Sequence, residues 1–192
     1  GIYSISLLQT PPLMRRPIIT RVEYYNELLI KRVILYEVGS GGQVFFIHNN
    51  VQNIDLAVNR LSRLLPHLQI ISMHGQEPSA VIKNKMVLFS TKKVHILGCT
   101  SIIEAGIDVP NANCIIINNS HLFGLSQLYQ MRGRVGRSSK QAYAYMIVPK
   151  NIKLSNRAYN RIKTIEENSH LGAGYNIAHS DMNIRGSGHL FG

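Results

Sequence analysis

Two arginines three residues apart, Arg134 and Arg137, form the pattern in this chain with the clearest chemical use. Gly133 and Gly136 accompany them, and glycine permits the tight turns that bring side chains close to a ligand. A guanidinium group stays protonated and binds phosphate oxygens through two parallel hydrogen bonds, so it stabilises the charge that develops during phosphoryl transfer. A solvated basic loop is the alternative interpretation of such a run of charge.

The residues before this loop favour the phosphate-binding interpretation. Leu125, Leu128 and Met131 recur at helical spacing within residues 124–131, and a glycine follows as a stop signal. A packed helix that ends here would aim Gln130 and the two arginines at one ligand. We therefore expect an element built to direct positive charge.

The composition predicts one domain with an anionic partner. The chain has 192 residues, of which 45% are hydrophobic, enough for one well-filled core. Its 21 Lys and Arg residues against 10 Asp and Glu give a formal charge of +11, which favours salt-sensitive association with nucleic acid or another anion. The sequence contains no apolar run of membrane-spanning length and does not start like a signal peptide, so we expect a cytoplasmic protein without membrane association.

The cysteines and histidines predict no metal site. Cys99 and Cys114 lie in or beside apolar runs, where buried free thiols are expected. The eight histidines show no ligand spacing.

Short apolar runs alternate with amphipathic stretches, which predicts an α/β domain of three layers around a mainly parallel sheet. The predicted strands are residues 43–47, 68–71, 94–97, 114–117 and 143–148. Helical patterns occupy residues 25–36, 54–65 and 78–89. Ligands of such sheets bind at the carboxyl ends of the strands.

Three parts are predicted along the chain. Residues 1–22, with their prolines, form a linker. Residues 23–150 form the α/β domain, and residues 151–192 form a helical segment with glycine-rich boundaries. A basic stripe near the start of this segment is either a solvated helix face or a surface that follows phosphates, and it consists of Lys150, Lys153, Arg157 and Arg161.

Several motifs carry a family resemblance. Residues 100–110 (TSIIEAGIDVP) and 130–138 (QMRGRVGRS) resemble motifs V and VI of superfamily 2 helicases and translocases. Residues 171–188, with LGAGY and DMNIRGSG, resemble the translocation motif of two groups of bacterial duplex DNA translocases, the transcription-repair coupling factors and the RecG-type fork-remodelling helicases. Residues 74–76 (HGQ) and 121–125 (HLFGL) resemble the coupling factors more closely, whereas the EPSAV that follows HGQ departs from their Glu- and Arg-rich pattern.

The resemblance implies a RecA-like second motor lobe, followed by a helical hairpin and the translocation motif, in an ATP-dependent translocase on double-stranded DNA. Within it, Arg137 would be the arginine finger, and Arg134 would hold a neighbouring phosphate oxygen. Gln130 would couple nucleotide to nucleic acid, with Gly133 and Gly136 shaping the nucleotide site. Arg132 is expected to face either DNA or solvent.

Further roles follow from the same resemblance. Asp108 would lie near the ribose or the coupling network, Thr100 and Ser101 near the DNA backbone, and Arg185 would be the coupling arginine. Thr100 and Ser101 could instead cap the following turn. A coupling factor would displace stalled RNA polymerase in nucleotide-excision repair, through polymerase- and repair-protein-binding regions outside this chain. The alternatives are a RecG-like lobe and a non-catalytic basic module.

The sequence lacks part of an ATPase. No Gly-x₄-Gly-Lys-Ser/Thr phosphate loop occurs, and no Asp-Glu pair follows an apolar strand. The resemblance assigns these parts, and most contacts to ATP and Mg²⁺, to a first motor lobe that precedes this segment. We therefore expect the chain alone neither to hydrolyse ATP nor to move on DNA.

Overall fold

The computed structural model describes residues 16–100 and 108–168. Within them, strands and α-helices alternate in the order β1 (Ile19–Tyr24), α1 (Glu27–Gly39), β2 (Gln43–Ile47), α2 (Ile54–Leu64), β3 (Ile70–Met73), α3 (Ser79–Ser90), β4 (Ile96–Cys99), β5 (Ala112–Ile117), α4 (Leu125–Arg132), β6 (Tyr143–Val148) and α5 (Asn156–Glu167). Short 3₁₀-helices, Val51–Asn53 and Ser120–Leu122, follow β2 and β5.

The strands form one sheet in the order β1-β6-β5-β2-β4-β3, and each neighbouring pair is parallel. Every residue of β2, β4 and β5 is buried, because helices cover both faces of the sheet. The prediction of an α/β domain with a mainly parallel sheet is confirmed.

Two apolar cores hold the helices on the sheet. On one face, Phe45 packs in a cluster that includes Phe89 of α3, Leu128 of α4 and Ile165 of α5. On the other face, residues of α1 and α2 pack with the opposite sides of the same strands, through Ile30, Ile34, Leu61, Val44 and Ile116. The sheet is therefore the middle of three layers, and α4 and α5 share a layer.

The predicted linker ran to residue 22, but β1 starts at Ile19. The backbone N–H of Ile19 donates to the Ala142 carbonyl at 3.0 Å, and Ile19 pairs with Tyr143 in the ladder. Pro17, which has no N–H, stands just before the strand rather than within it, where a proline is tolerated. Residues 19–22 are therefore sheet and not linker.

The helix predicted after residue 151 is α5. Ser155 caps it, because its side-chain oxygen accepts a hydrogen bond from the Ala158 N–H at 3.1 Å. Its buried face, Ala158, Ile162 and Ile165, joins it to the α/β core. The rest of the predicted hairpin and the translocation motif lie outside the described residues.

Both cysteines are buried free thiols, as predicted. Burial raises the pKa of Cys99 and of Cys114, which keeps the thiols protonated and unreactive. None of the helices in the described ranges is long and apolar enough to span a bilayer.

Gly98 tests the packing between β4 and α2. A methyl group at Gly98 would lie 2.5 Å from Cγ2 of Val58, whereas one at Gly39 would meet no atom within 4 Å. We expect Gly98→Ala to lower the free energy of unfolding by about 1–3 kcal/mol, because overpacking forces neighbouring groups apart. Gly39→Ala should leave it unchanged or raise it, since alanine favours helix. Equal effects of both substitutions in urea unfolding would contradict this packing.

Candidate functional site

The arginine loop, residues 133–138, joins the end of α4 to the segment before β6. Val135 anchors it, with only 2% of its surface exposed. Gly136 has a φ of +80°, a conformation that favours glycine, and a Cβ there would lie 3.2 Å from Cγ1 of Ile18. The loop is thus held against the start of β1 in one shape.

The two arginines extend from this anchored loop. Arg137 is exposed, and its Nε donates a hydrogen bond to the Gly133 carbonyl at 3.3 Å. Arg134 is half-buried, and Gln130 is exposed in the last turn of α4. Ser138 closes the loop, because its hydroxyl donates to Oδ1 of Asn113 in β5 at 3.1 Å. Gln130 at the end of α4 and the two arginines in the loop therefore lie on one continuous segment, which Val135 and Ser138 anchor to the core.

Asp108 lies near the arginine loop. It is exposed and lines a cleft of about 360 Å³ together with Lys92, Asn111, Ser138 and Lys140. Lys140 Nζ donates to the Ser40 carbonyl at 3.2 Å, and Asn111 Nδ2 donates to the Gly41 carbonyl at 3.0 Å. These bonds fix the cleft to the turn before β2. Asp108 and the arginine loop therefore share the amino edge of the sheet.

Thr100 lies at the opposite, carboxyl edge, directly after β4. Of the residues predicted to bind ligands, Thr100 lies at the carboxyl ends of the strands, whereas Asp108 and the two arginines lie at the amino ends. Helix α4 starts after the carboxyl end of β5 and leads back to the amino end of β6, so the loop after it emerges at the amino edge. Ser101 and Arg185 lie outside the described residues.

Polar side chains that the sequence analysis missed line the carboxyl edge. The backbone N–H of His48 donates to the Cys99 carbonyl at 2.9 Å, next to Thr100. The His48 ring contacts Asn53 Oδ1 at 2.5 Å through Nε2 and Asn118 Nδ2 at 3.1 Å through Nδ1. Asn119 Nδ2 donates to Asn49 Oδ1 at 3.1 Å. The paired asparagines after two apolar runs, Asn49-Asn50 and Asn118-Asn119, were the available sequence signal.

A cleft of about 440 Å³ adjoins this network. Among the residues that the structure describes, its lining contains two cationic side chains, Arg60 and Lys150, as well as amides and a tyrosine, and no carboxylate. Such a lining suits an anion with oxygen acceptors. The carboxyl edge thus has a basic, amide-rich surface that continues from Thr100.

Arg132 faces neither DNA nor solvent, contrary to the expectation from sequence. Only 3% of it is exposed, and its Nη1 donates to Thr20 Oγ1 at 3.1 Å and to the Ile165 carbonyl at 3.0 Å. Its guanidinium lies 4.9 Å from the centre of the Tyr129 ring. Burial lowers the pKa of Arg132, while Tyr129 raises it. Arg132 therefore joins α4, β1 and α5.

The basic stripe divides into two parts. Lys150 and Lys153 are exposed, whereas Arg157 and Arg161 are half-buried. Arg161 Nη2 donates to the His121 carbonyl at 3.3 Å. Burial, and the positive charge of Arg161, lower the pKa of His121. Neither predicted alternative describes the whole stripe, because its two arginines lie partly inside the protein.

Arg132→Met tests the buried junction. The substitution leaves the Thr20 hydroxyl and the Ile165 carbonyl without this donor, so we expect the free energy of unfolding to fall by about 1–3 kcal/mol. Arg137→Met removes the same charge from an exposed position and should change it by less than about 0.5 kcal/mol. Chemical denaturation of both variants makes the comparison, and an Arg132→Met variant as stable as the parent would refute the junction.

The comparisons with known proteins agree with this architecture. Residues 24–139 match the helicase conserved C-terminal domain. The chain is 44% identical over its full length to a transcription-repair-coupling factor of Myxococcus xanthus, of which it covers 16%. It is 46% identical over 98% of its length to the transcription-repair-coupling factor of Borreliella burgdorferi, of which it covers 17%. The chain thus spans about a sixth of the length of these relatives.

A solved structure of RecG bound to a three-way DNA junction also matches. The match covers 92% of this chain and 23% of the RecG chain, with 30% sequence identity and a TM-score of 0.76. The RecA-like fold and the resemblance to the coupling factors are confirmed. The chain belongs to the helicase conserved C-terminal domain family and is a helicase-like motor lobe similar to that of the transcription-repair-coupling factors.

Proposed function

We propose that this chain is the second motor lobe of an ATP-dependent translocase on double-stranded DNA. The observation that carries the proposal is the separation of two polar surfaces by the length of the parallel strands. The amino edge has the arginine loop and Asp108, and the carboxyl edge has Thr100 and the basic, amide-rich cleft. A motor lobe needs one surface for nucleotide and another for its track.

At the amino edge, Arg134 and Arg137 bind the terminal phosphates of a nucleotide held by a first lobe. ATP, with Mg²⁺ held mainly by that first lobe, supplies the phosphoryl group whose transfer drives the motor. Arg137 is the arginine finger, because it is exposed and its backbone is fixed. Gly133 and Gly136 let the backbone come close to the phosphates, and Asp108 lies where the cleft would receive the ribose.

At the carboxyl edge, Thr100 and Ser101 contact the DNA backbone. Hydroxyl and amide groups donate to phosphate oxygens and position a protein on a duplex without reading its sequence. Arg60 and Lys150 add positive charge beside them. This surface therefore binds the track through its charge and shape.

The segment from Thr100 to Asp108 begins at the DNA edge and ends at the nucleotide edge. Closure of the arginine loop on the nucleotide shifts Thr100, Ser101 and the Arg185 segment along the DNA backbone, and Gln130 couples the nucleotide to the DNA. The chain alone does not hydrolyse ATP, because the sequence contains no phosphate loop.

We further propose that the longer protein displaces stalled RNA polymerase in transcription-coupled nucleotide-excision repair, in the cytoplasm. Similarity over nearly all of this chain, which spans about a sixth of the transcription-repair-coupling factors, supports this role. RNA polymerase and the repair proteins bind regions outside this chain. The likeness to RecG supports fork remodelling as the second candidate, and displacement of a stalled polymerase in vitro distinguishes the two. A non-catalytic basic module predicts salt-dependent DNA binding but no ATPase that depends on the arginines.

Arg137→Ala tests the nucleotide surface. In the longer protein we expect DNA-stimulated ATPase to fall by about 10³-fold or more, as for other arginine fingers. Arg137→Lys should restore little, since a lysine cannot reproduce the planar fork. Phosphate release measures the rate, and the affinity for duplex DNA serves as the control because it should stay within about twofold. If both variants hydrolysed ATP at the rate of the parent protein, Arg137 would not be an arginine finger.

Thr100→Val tests the DNA surface. We expect duplex affinity to fall about fivefold, which corresponds to the roughly 1 kcal/mol net contribution of one solvent-exposed hydrogen bond. ATPase without DNA should not change, because Thr100 lies at the edge opposite the arginine loop. Fluorescence anisotropy on a labelled duplex measures the affinity, and an unaltered value would point to a capping role for the hydroxyl.

A further inference from the structure

A partly buried ion pair holds the turn between β3 and α3. Lys85 Nζ donates to Glu77 Oε1 at 2.5 Å and to the Ser72 carbonyl at 2.7 Å. The other carboxylate oxygen of Glu77, Oε2, accepts from the His74 N–H at 3.2 Å. The Gln76 N–H donates to Nδ1 of His74 at 3.2 Å. Residues 74–77, the HGQE turn, are thus tied to both β3 and α3.

The HGQE turn lies next to Thr100. Strands β3 and β4 are neighbours, and Met73 pairs with Cys99. The segments that follow these two strands therefore leave the sheet side by side at the carboxyl edge. Gly75 and Gln76 form the exposed tip of the turn. Its tip therefore extends the surface that we assign to DNA.

The ion pair shapes this surface without adding charge to it. The side chains of Lys85 and Glu77 are only 23% and 17% exposed. Besides the bond between them, Lys85 bonds the Ser72 carbonyl and Glu77 bonds the His74 N–H. Removing one member of such a pair leaves a partly desolvated charge without its partner and releases the turn. Because the charges cancel, the pair contributes little to the long-range attraction of an anion.

We propose that Lys85 and Glu77 are positioning residues that hold the tip of the HGQE turn against the DNA backbone, with the Gln76 side-chain amide as the donor to phosphate. This inference rests on the proposed function, because it needs the carboxyl edge to face DNA. Glutamine amides are suitable donors to phosphate oxygens. Residues 77–81 contain no lysine or arginine, so a contact from this turn depends on a positioned hydrogen-bond donor rather than on positive charge of its own.

Glu77→Gln in the longer protein is the decisive variant. It removes one negative charge at nearly constant shape, so electrostatics alone predicts tighter binding to duplex DNA. Loss of positioning predicts the opposite sign, and we expect affinity to fall about fivefold, as it should for Lys85→Met and Gln76→Ala. Affinity is measured by anisotropy on a labelled 30-base-pair duplex across a range of salt. The slope of log affinity against log salt should stay the same for Glu77→Gln.

Lys83→Met is the matched control, because Lys83 is an exposed lysine on the same helix. It removes one positive charge without touching the turn, and its affinity should change by less than about twofold. Gln76→Ala leaves the ion pair intact, so its result does not depend on whether the Lys85 and Glu77 variants fold. Thermal unfolding accompanies each variant.

Two results would overturn the inference. If Lys85 contacted phosphate directly, Lys85→Met would flatten the salt dependence and Glu77→Gln would bind as tightly as the parent or more tightly. If Gln76→Ala bound normally while Thr100→Val was impaired, the turn would have no role and the DNA edge would stand. If Thr100→Val also bound duplex DNA normally, the carboxyl edge would not be a DNA-binding surface, and the proposed function would be wrong at that surface.

Discussion

The buried guanidinium of Arg132 is the contact on which the geometry of the arginine loop depends. It ends α4 and donates to both β1 and α5, so three elements far apart in sequence meet at one charge. A buried cation is tolerated when hydrogen bonds and an aromatic face replace its water, and Arg132 has both. Because Gly133 follows directly, the position of this group sets where the loop begins.

The parallel sheet separates the exposed polar side chains into two surfaces, one at each end of its strands. Its strands are parallel and the central ones, β2, β4 and β5, are buried on both faces, so their neighbouring side chains reach solvent mainly at the two edges. The amino edge presents the arginine loop and Asp108, and the carboxyl edge presents Thr100, the His48 network and the HGQE turn. Thr100 lies at one edge and Asp108 at the other, which suits a lobe that must relate nucleotide state to its track.

The sequence predicted the elements better than the contacts between them. Strands 43–47 and 143–148 have the predicted bounds, because their apolar runs coincide with their hydrogen-bonded ladders. Two other strands, β3 and β4, start two residues later than predicted, since Leu68 and Val94 pack in the cores before the ladder begins. The position of Arg132 could not be predicted, as its partners lie 112 and 33 residues away.

A structure of the longer protein with duplex DNA and a non-hydrolysable ATP analogue would test most directly whether the arginine loop binds the nucleotide. The quantity to measure is the distance from the Arg137 guanidinium to the terminal phosphate. We expect a charge-assisted hydrogen bond of about 2.7–2.9 Å, with Arg134 on a neighbouring oxygen. A nucleotide bound in its closed pocket with both guanidinium groups in bulk solvent would contradict it.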